Sequence, residues 1–355
     1  MDEFRELIDN LSSEDERERA FAVEDIVFDS VPGAIDLLIE RLSIEPSRFV
    51  QEVIVNNLKT FKGLELVDKL LPLLNSDDAY IRNAIIDIVS CQDENAFSSI
   101  KALLSDPDKD VRKFAVDILF QLRSPYSAEL IVTVLKDPDI NIVITAVEYL
   151  GRLEATDYIA MINDIILNTD NLLLRCTCLE VMAVIGNQQS IETVRHLYAA
   201  HTSINQLELY SYLKFLATKG SEADLPLVFS LIKSKGKTMA KEIINTLQGI
   251  LERASIEFLT PEIMSDLAAY IDSDINSINK YELLLFLADF QNEEILPILL
   301  KYAVSEEKLL CLGAVEGIGV LGKKEALPVL RQVKDTVSDS DILEAVDKSI
   351  ENLDG

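Results

Sequence analysis

The residues with the best claim to chemistry are few and scattered. His196 and His201 are the only histidines, and they stand close to Tyr198, Tyr210 and Tyr212. Two imidazoles can begin a zinc site, but five residues apart is poor helical spacing and no His-Glu motif accompanies them. No metal is expected there. The four cysteines are Cys91, Cys176, Cys178 and Cys311, all inside apolar helical phrases. Cys176 and Cys178 are two apart, about 200° round a helix axis, so they cannot grip one metal together. Scattered thiols without a secretory signal suggest a reducing compartment. There is no glycine-rich phosphate loop and no Gly-x-Ser-x-Gly elbow. Neither a cofactor nor a catalytic residue is expected.

Two charged features remain. Asp87, Asp117, Glu148 and Glu180 recur at near-regular steps, which points to bracing or a solvated helix face rather than to catalysis. Lys233, Lys235, Lys237 and Lys241 fall in a stretch, Leu225 through Lys241, that contains no acid. That segment could meet an acidic or phosphorylated partner. The plainer reading is a lysine-rich turn whose charge is screened within about a Debye length.

The elements that carry these residues repeat. Ile81-Arg82…Ala84-Ile85-Ile86-Asp87 returns as Val111-Arg112…Ala115-Val116-Asp117, Ile142-Val143…Ala146-Val147-Glu148 and Leu174-Arg175…Cys178-Leu179-Glu180. A fixed period of roughly 20–50 residues is the mark of a stacked-repeat protein. Each period holds two apolar-periodic segments joined by a short polar turn, which reads as a helical hairpin. Asp106-Pro107-Asp108 and Asp137-Pro138-Asp139 supply a helix start, with Asp106 as the cap and Pro107 at the first helical position. Leu296-Pro297 and Leu327-Pro328 mark later second helices. The expected fold class is all-α: an α-α superhelix of about ten hairpins with capping helices. It is read as a single unit over 1–355. An acidic cap covers 1–43, regular repeats cover 44–199, irregular repeats cover 200–274, and regular repeats with a terminal cap cover 275–355. An enlarged turn is expected between Ser255 and Pro261.

Composition agrees with this. The chain has 355 residues, 48% apolar and 26% charged, enough for a large core and unlike a disordered chain. A solenoid lets so long a chain remain one structure because it grows in one dimension. Net charge is −28, and residues 1–30 and 335–355 carry −8 and −6 of it. Such a balance disfavours nucleic acid and anionic membranes and favours a basic partner. The N-terminus has no apolar signal region, and no run approaches the roughly 18 apolar residues of a membrane span. A cytoplasmic location is expected.

The phrase Asp106-Pro107-Asp108-x-x-Val111-Arg112-x-x-Ala115-Val116-Asp117-x-Leu119, with Lys324-Glu325-Ala326-Leu327-Pro328-Val329-Leu330, resembles HEAT repeats. The short, even period looks most like the bacterial subgroup named after phycobilisome lyases. The resemblance implies a right-handed solenoid whose second helices line a concave side. It also implies an inter-repeat ladder of Asp106-type and Arg112-type side chains, interrupted where Val143 and Cys311 replace Arg. Arg82, Arg112 and Arg175 are then bracing residues. Lys101, Thr133, Asp164, Arg195, His196, Phe229, Lys301 and Arg331 occupy the outward slots of the second helices and form the expected partner-binding ridge. The missing His-Glu pairs speak against the HEAT-like deoxyhypusine hydroxylases, and the acidic balance against the HEAT-like DNA glycosylases. The reading is a non-enzymatic scaffold or adaptor, monomeric by itself, for a protein or peptide partner. The alternatives are a phycobilin-lyase-like subunit that handles a chromophore, or a regulator within a signalling complex.

Overall fold

The computed structural model describes residues 4–93, 96–199 and 204–354, with the Lys233 side chain left aside. Every regular element among them is helical. The chain divides into two compact units, Met1–Tyr158 and Ile159–Gly355.

The first unit contains α1 (Arg5–Asn10), α2 (Glu16–Phe28), α3 (Ala34–Ile44), α4 (Arg48–Leu58), α5 (Leu64–Leu70), α6 (Ala79–Val89), α7 (Phe97–Leu103), α8 (Lys109–Leu122), α9 (Ser127–Ile131) and α10 (Ile140–Arg152). Short 3-10 turns extend α5 and α9. The second unit contains α11 (Ile159–Asn168), α12 (Leu172–Ile185), α13 (Gln188–Tyr198), α14 (Gln206–Lys219), α15 (Leu225–Lys235), α16 (Ala240–Ala254), α17 (Pro261–Ile271), α18 (Ser277–Leu287), α19 (Ile295–Ala303), α20 (Lys308–Leu321), α21 (Leu327–Thr336) and α22 (Ser340–Asp354). Even-numbered helices from α2 take the first and odd-numbered helices the second position of the repeat. Four hairpins result in the first unit (α2–α9, followed by α10) and five in the second (α12–α21, preceded by α11), with α1 before the first and α22 after the last.

Short polar side chains start most first helices. Asp78, Asp108, Asp139, Asn171, Asn205 and Asn276 each accept a backbone N–H from the first turn, which satisfies a donor the helix leaves unpaired. The Asp-Pro-Asp device works two residues later than its sequence suggests. Asp108 is the cap of α8, while Asp106 accepts the N–H of Asp108 at 2.8 Å. Asp139 and Asp137 repeat the arrangement at α10. Pro107 lies before the helix because Asp108, with extended backbone and its carboxylate on the Asp110 N–H, is the cap.

The recurring phrase is the core. Ala115, Val116, Leu119, Ala146, Val147 and Leu150 are fully buried. Cys178 and Ala314 fill the small-residue slot in later repeats, also without exposure. The enlarged turn lies at 255–260, between α16 and α17.

Among the described residues, Ser127, Asn163 and Arg175 have buried side-chain atoms without a hydrogen-bond partner, and Asn163 is the one left wholly unsatisfied as an amide. Asn163 on α11 is 1% exposed, and neither its Oδ1 nor its Nδ2 makes a hydrogen bond. Leucine keeps the branched shape while removing both polar atoms, and an unsatisfied buried amide costs about 1–3 kcal/mol. Asn163→Leu is therefore expected to stabilise the protein by about 1 kcal/mol after some overpacking. A urea midpoint that falls would show that the amide is satisfied in solution.

Candidate partner-binding surface

The second helices bring the predicted ridge residues to the surface unevenly. Lys101 on α7 and Thr133 in the turn after α9 are exposed in the first unit. In the second unit Asp164 on α11, His196 on α13, Lys301 on α19 and Arg331 on α21 are exposed. Phe229 on α15 departs from the prediction: it is 9% exposed and belongs to the core. The loosened spacing after residue 200 shifts the register by a position, and a phenyl ring gains more from burial than a ridge slot offers.

Two ridge cations already have partners. Arg195 Nη2 donates to Asp224 Oδ2 at 2.8 Å and to Ser221 Oγ at 2.7 Å. Lys301 Nζ donates to Asp272 Oδ1 at 2.6 Å, and the Lys301 ammonium and the Tyr302 hydroxyl hold that carboxyl below its ordinary range. Both contacts join successive hairpins. Lys101, His196 and Arg331 have no ion-pair partner among the described residues.

The basic segment is likewise divided. Lys237 pairs with Asp274 at 2.9 Å. Lys235 and Lys241 are exposed and have no ion-pair partner among the described residues. The turn beside them is braced by Tyr270, whose hydroxyl donates to Gly236 O at 2.8 Å.

The candidate reactive groups near the centre are packing residues. Tyr198 and Tyr212 stack with ring centroids 4.4 Å apart, and both are buried. Tyr198 donates to Glu208 Oε1 at 2.7 Å, while Glu208 stands 3.3 Å from Arg175. The sequence pattern placed these tyrosines only beside the two histidines. Their burial was signalled by the apolar Val194 and Leu209 one turn away. His201 lies outside the described residues, so only His196 of that pair is placed. Among the described residues no three His, Cys, Asp or Glu side chains converge to hold a metal ion.

Three of the thiols are sequestered. Burial pushes Cys178 up to about 12 and also raises Cys176 and Cys311. Cys311 Sγ donates to Ala303 O at 3.0 Å. Cys91 alone is exposed.

Residues 98–175 match a family model for HEAT repeats. No curated protein matches the sequence. Importin beta in an ammonium sulfate condition superposes with a TM-score of 0.62 at 14% identity, covering 98% of this chain and 57% of that one. Kap121p bound to Nup53p gives 0.56 at 13%, covering 98% and 48%. Kap121p bound to the extreme C-terminus of the protein phosphatase Cdc14p gives 0.56 at 13%, covering 98% and 49%. The chain has the fold of a HEAT solenoid. It spans about half the length of these structures, and at such identities the likeness concerns fold alone.

The ladder of the HEAT stretch is present in altered form. Arg112 forks onto Asp137 of the next repeat at 2.7 and 2.9 Å, and its Nη1 donates to the Asp106 and Pro107 carbonyls. The Arg112 guanidinium holds the Asp137 carboxyl below its usual range against the opposing effect of burial. Arg82 donates to Ser76 O and lies over Phe114. Val143 and Cys311 interrupt the ladder by packing instead, at 5% and 1% exposure. The periodic acids brace first helices: Asp117 accepts from Tyr149 of the next repeat at 2.8 Å, and Glu180 accepts from Ser211 and Lys214. Asp87 pairs with Lys59 of the preceding repeat. No helix among the described residues is long and apolar enough to cross a membrane.

Proposed function

We propose that the chain is a non-enzymatic scaffold or adaptor that offers the exposed faces of its second helices to a protein or peptide partner. The observation that carries this reading is the supply of unengaged polar anchors, Lys101, His196 and Arg331, on second helices whose other faces are committed to the stack. Free Arg side chains on a rigid surface are frequent interface anchors. The HEAT solenoids it resembles include proteins solved with protein partners bound. A net charge of −28 makes a basic partner the better fit and self-association unfavourable.

The likeness to phycobilisome-lyase repeats would require an accessible nucleophile or a chromophore pocket. Cys176, Cys178 and Cys311 are buried with raised pKa values, so this reading draws on Cys91, the exposed thiol. The regulatory reading draws only on Lys235 and Lys241, since Lys237 is engaged with Asp274.

The test is affinity capture of the tagged full chain from its own host, with crosslinking and mass spectrometry. The same capture with Lys101→Glu and Arg331→Glu follows. A partner whose recovery falls about tenfold in at least one variant is expected, as for an interface anchor. Recovery of no stable macromolecule, or of one indifferent to both substitutions, would sink the proposal.

A further inference from the structure

The second unit contains a groove that neither the ridge nor the basic segment uses. It lies between the turn joining α16 to α17 and the turn joining α18 to α19, and has a volume of about 400 Å³. Its floor is apolar and fixed: Leu251, Phe286 and Phe290 are 1%, 3% and 4% exposed. The two rings meet edge to face, with centroids 5.1 Å apart. Its rim is acidic: Glu252, Glu257 and Asp289 line it, are exposed, and have no ion-pair partner among the described residues.

Hydrogen bonds join the two turns that flank the groove. Gln291 N–H donates to Glu257 O at 2.8 Å. Asn292 accepts the Leu259 N–H at 2.7 Å and donates to Leu259 O at 2.8 Å. The nearest cation in sequence, Arg253, faces away, because its guanidinium donates to the carbonyls of Leu216, Ala217 and Gly220. The rim carboxylates therefore make no ion pair, although Arg253 is close enough to Glu252 to feel its charge. Burial, and secondarily Glu252, raises the Asp289 carboxyl. Phe258, 62% exposed, extends apolar surface along the turn.

We propose that this groove seats an arginine side chain from a basic segment of a protein partner. The proposal rests on the scaffold reading and names the chemistry of one of its contacts. Three carboxylates above an apolar floor suit a long cation whose methylene stem lies along the apolar surface while its planar head bonds the rim at its edge, as guanidinium does. An acidic peptide would be repelled, and an apolar one would leave the carboxylates unpaired. The volume admits a side chain or two but not a helix. No described set of three acids is close enough for a metal ion, which favours an extended cation over a point charge.

The test uses the full chain and a fluorescein-labelled peptide of alternating Arg and Ala, read by anisotropy at physiological salt. The groove variant combines Glu252→Gln, Glu257→Gln and Asp289→Asn. A control, Glu24→Gln, Asp25→Asn and Asp29→Asn, removes the same charge from the exposed face of α2. The groove variant should bind about tenfold more weakly and the control less than about twofold, because rim contacts act locally while net charge acts everywhere. Equal losses in the two variants, or no binding to the unmodified chain, would overturn the assignment. If the groove fails in this way while affinity capture still returns an anchor-dependent partner, the scaffold reading stands without it. If capture returns no partner, the scaffold reading itself falls.

Discussion

Glu45→Ala is expected to destabilise the first unit by about 4 kcal/mol, the cost of stranding buried charges by removing their partner. Glu45 lies in the turn before α4 with its side chain fully buried. Arg19 donates to it twice, at 3.0 and 2.8 Å, Arg41 donates at 2.7 Å, and the Ser47 N–H donates at 2.9 Å. Alanine would leave two guanidinium groups, 8% and 13% exposed, without a counter-ion. Urea unfolding should show the loss, and hydrogen exchange should place it in α2, α3 and α4. An unchanged midpoint would mean that the three groups are hydrated in solution. Replacing the cluster together, with Arg19→Met, Arg41→Met and Glu45→Leu, should recover most of the loss, since no buried charge then remains.

The same cluster predicts a pH dependence. Burial pushes the Glu45 carboxyl up, but Arg19, the Ser47 N–H and Arg41 outweigh it and hold the carboxyl below its ordinary value of 4.5. Between the two values the unfolded chain binds more protons, so stability rises with pH there. The contribution is complete above about pH 4.5 and is lost as pH falls through the folded value. The penalty for Glu45→Ala should shrink across that interval.

Gly249→Ala is expected to destabilise the second unit by about 3 kcal/mol, although alanine is the better helix former by about 1 kcal/mol. A Cβ on Gly249 would stand 2.1 Å from Ala217 O and 3.0 Å from Ala217 C, both backbone atoms of α14 that cannot rotate aside. Relief requires α14 and α16 to separate. Such overpacking costs about 3 kcal/mol. Separation also weakens the Arg253 bonds to Leu216, Ala217 and Gly220, worth about 1 kcal/mol or more together. Thr246, which donates to Leu213 O at 3.1 Å, lies on the same face of α16. A thermal midpoint that rises in Gly249→Ala would show that propensity outweighs contact and that the helices are less close than described.

Both residues show where sequence reading stopped. Glu45-Pro46-Ser47 has the same form as Asp106-Pro107-Asp108, and that form could have identified Glu45 as a ladder acid. Its partner Arg19 is 26 residues away, and no local pattern reports the pairing. Gly249 sits mid-helix, where a glycine is costly unless another backbone comes close. That was a signal, but it did not name Ala217. The uneven ridge has a similar cause. Arg195 and Lys301 looked free because their acids, Asp224 and Asp272, belong to neighbouring turns.

The sequence alone determined the secondary elements, their order in hairpins and the small buried slot of the phrase, because helical periodicity and capping act within a few residues. Tertiary structure decided which charges are free, which rings are buried, and that two distant turns enclose an acidic groove over Phe286 and Phe290. Those outcomes depend on distances between side chains some thirty residues apart, which stacking fixes and periodicity does not encode.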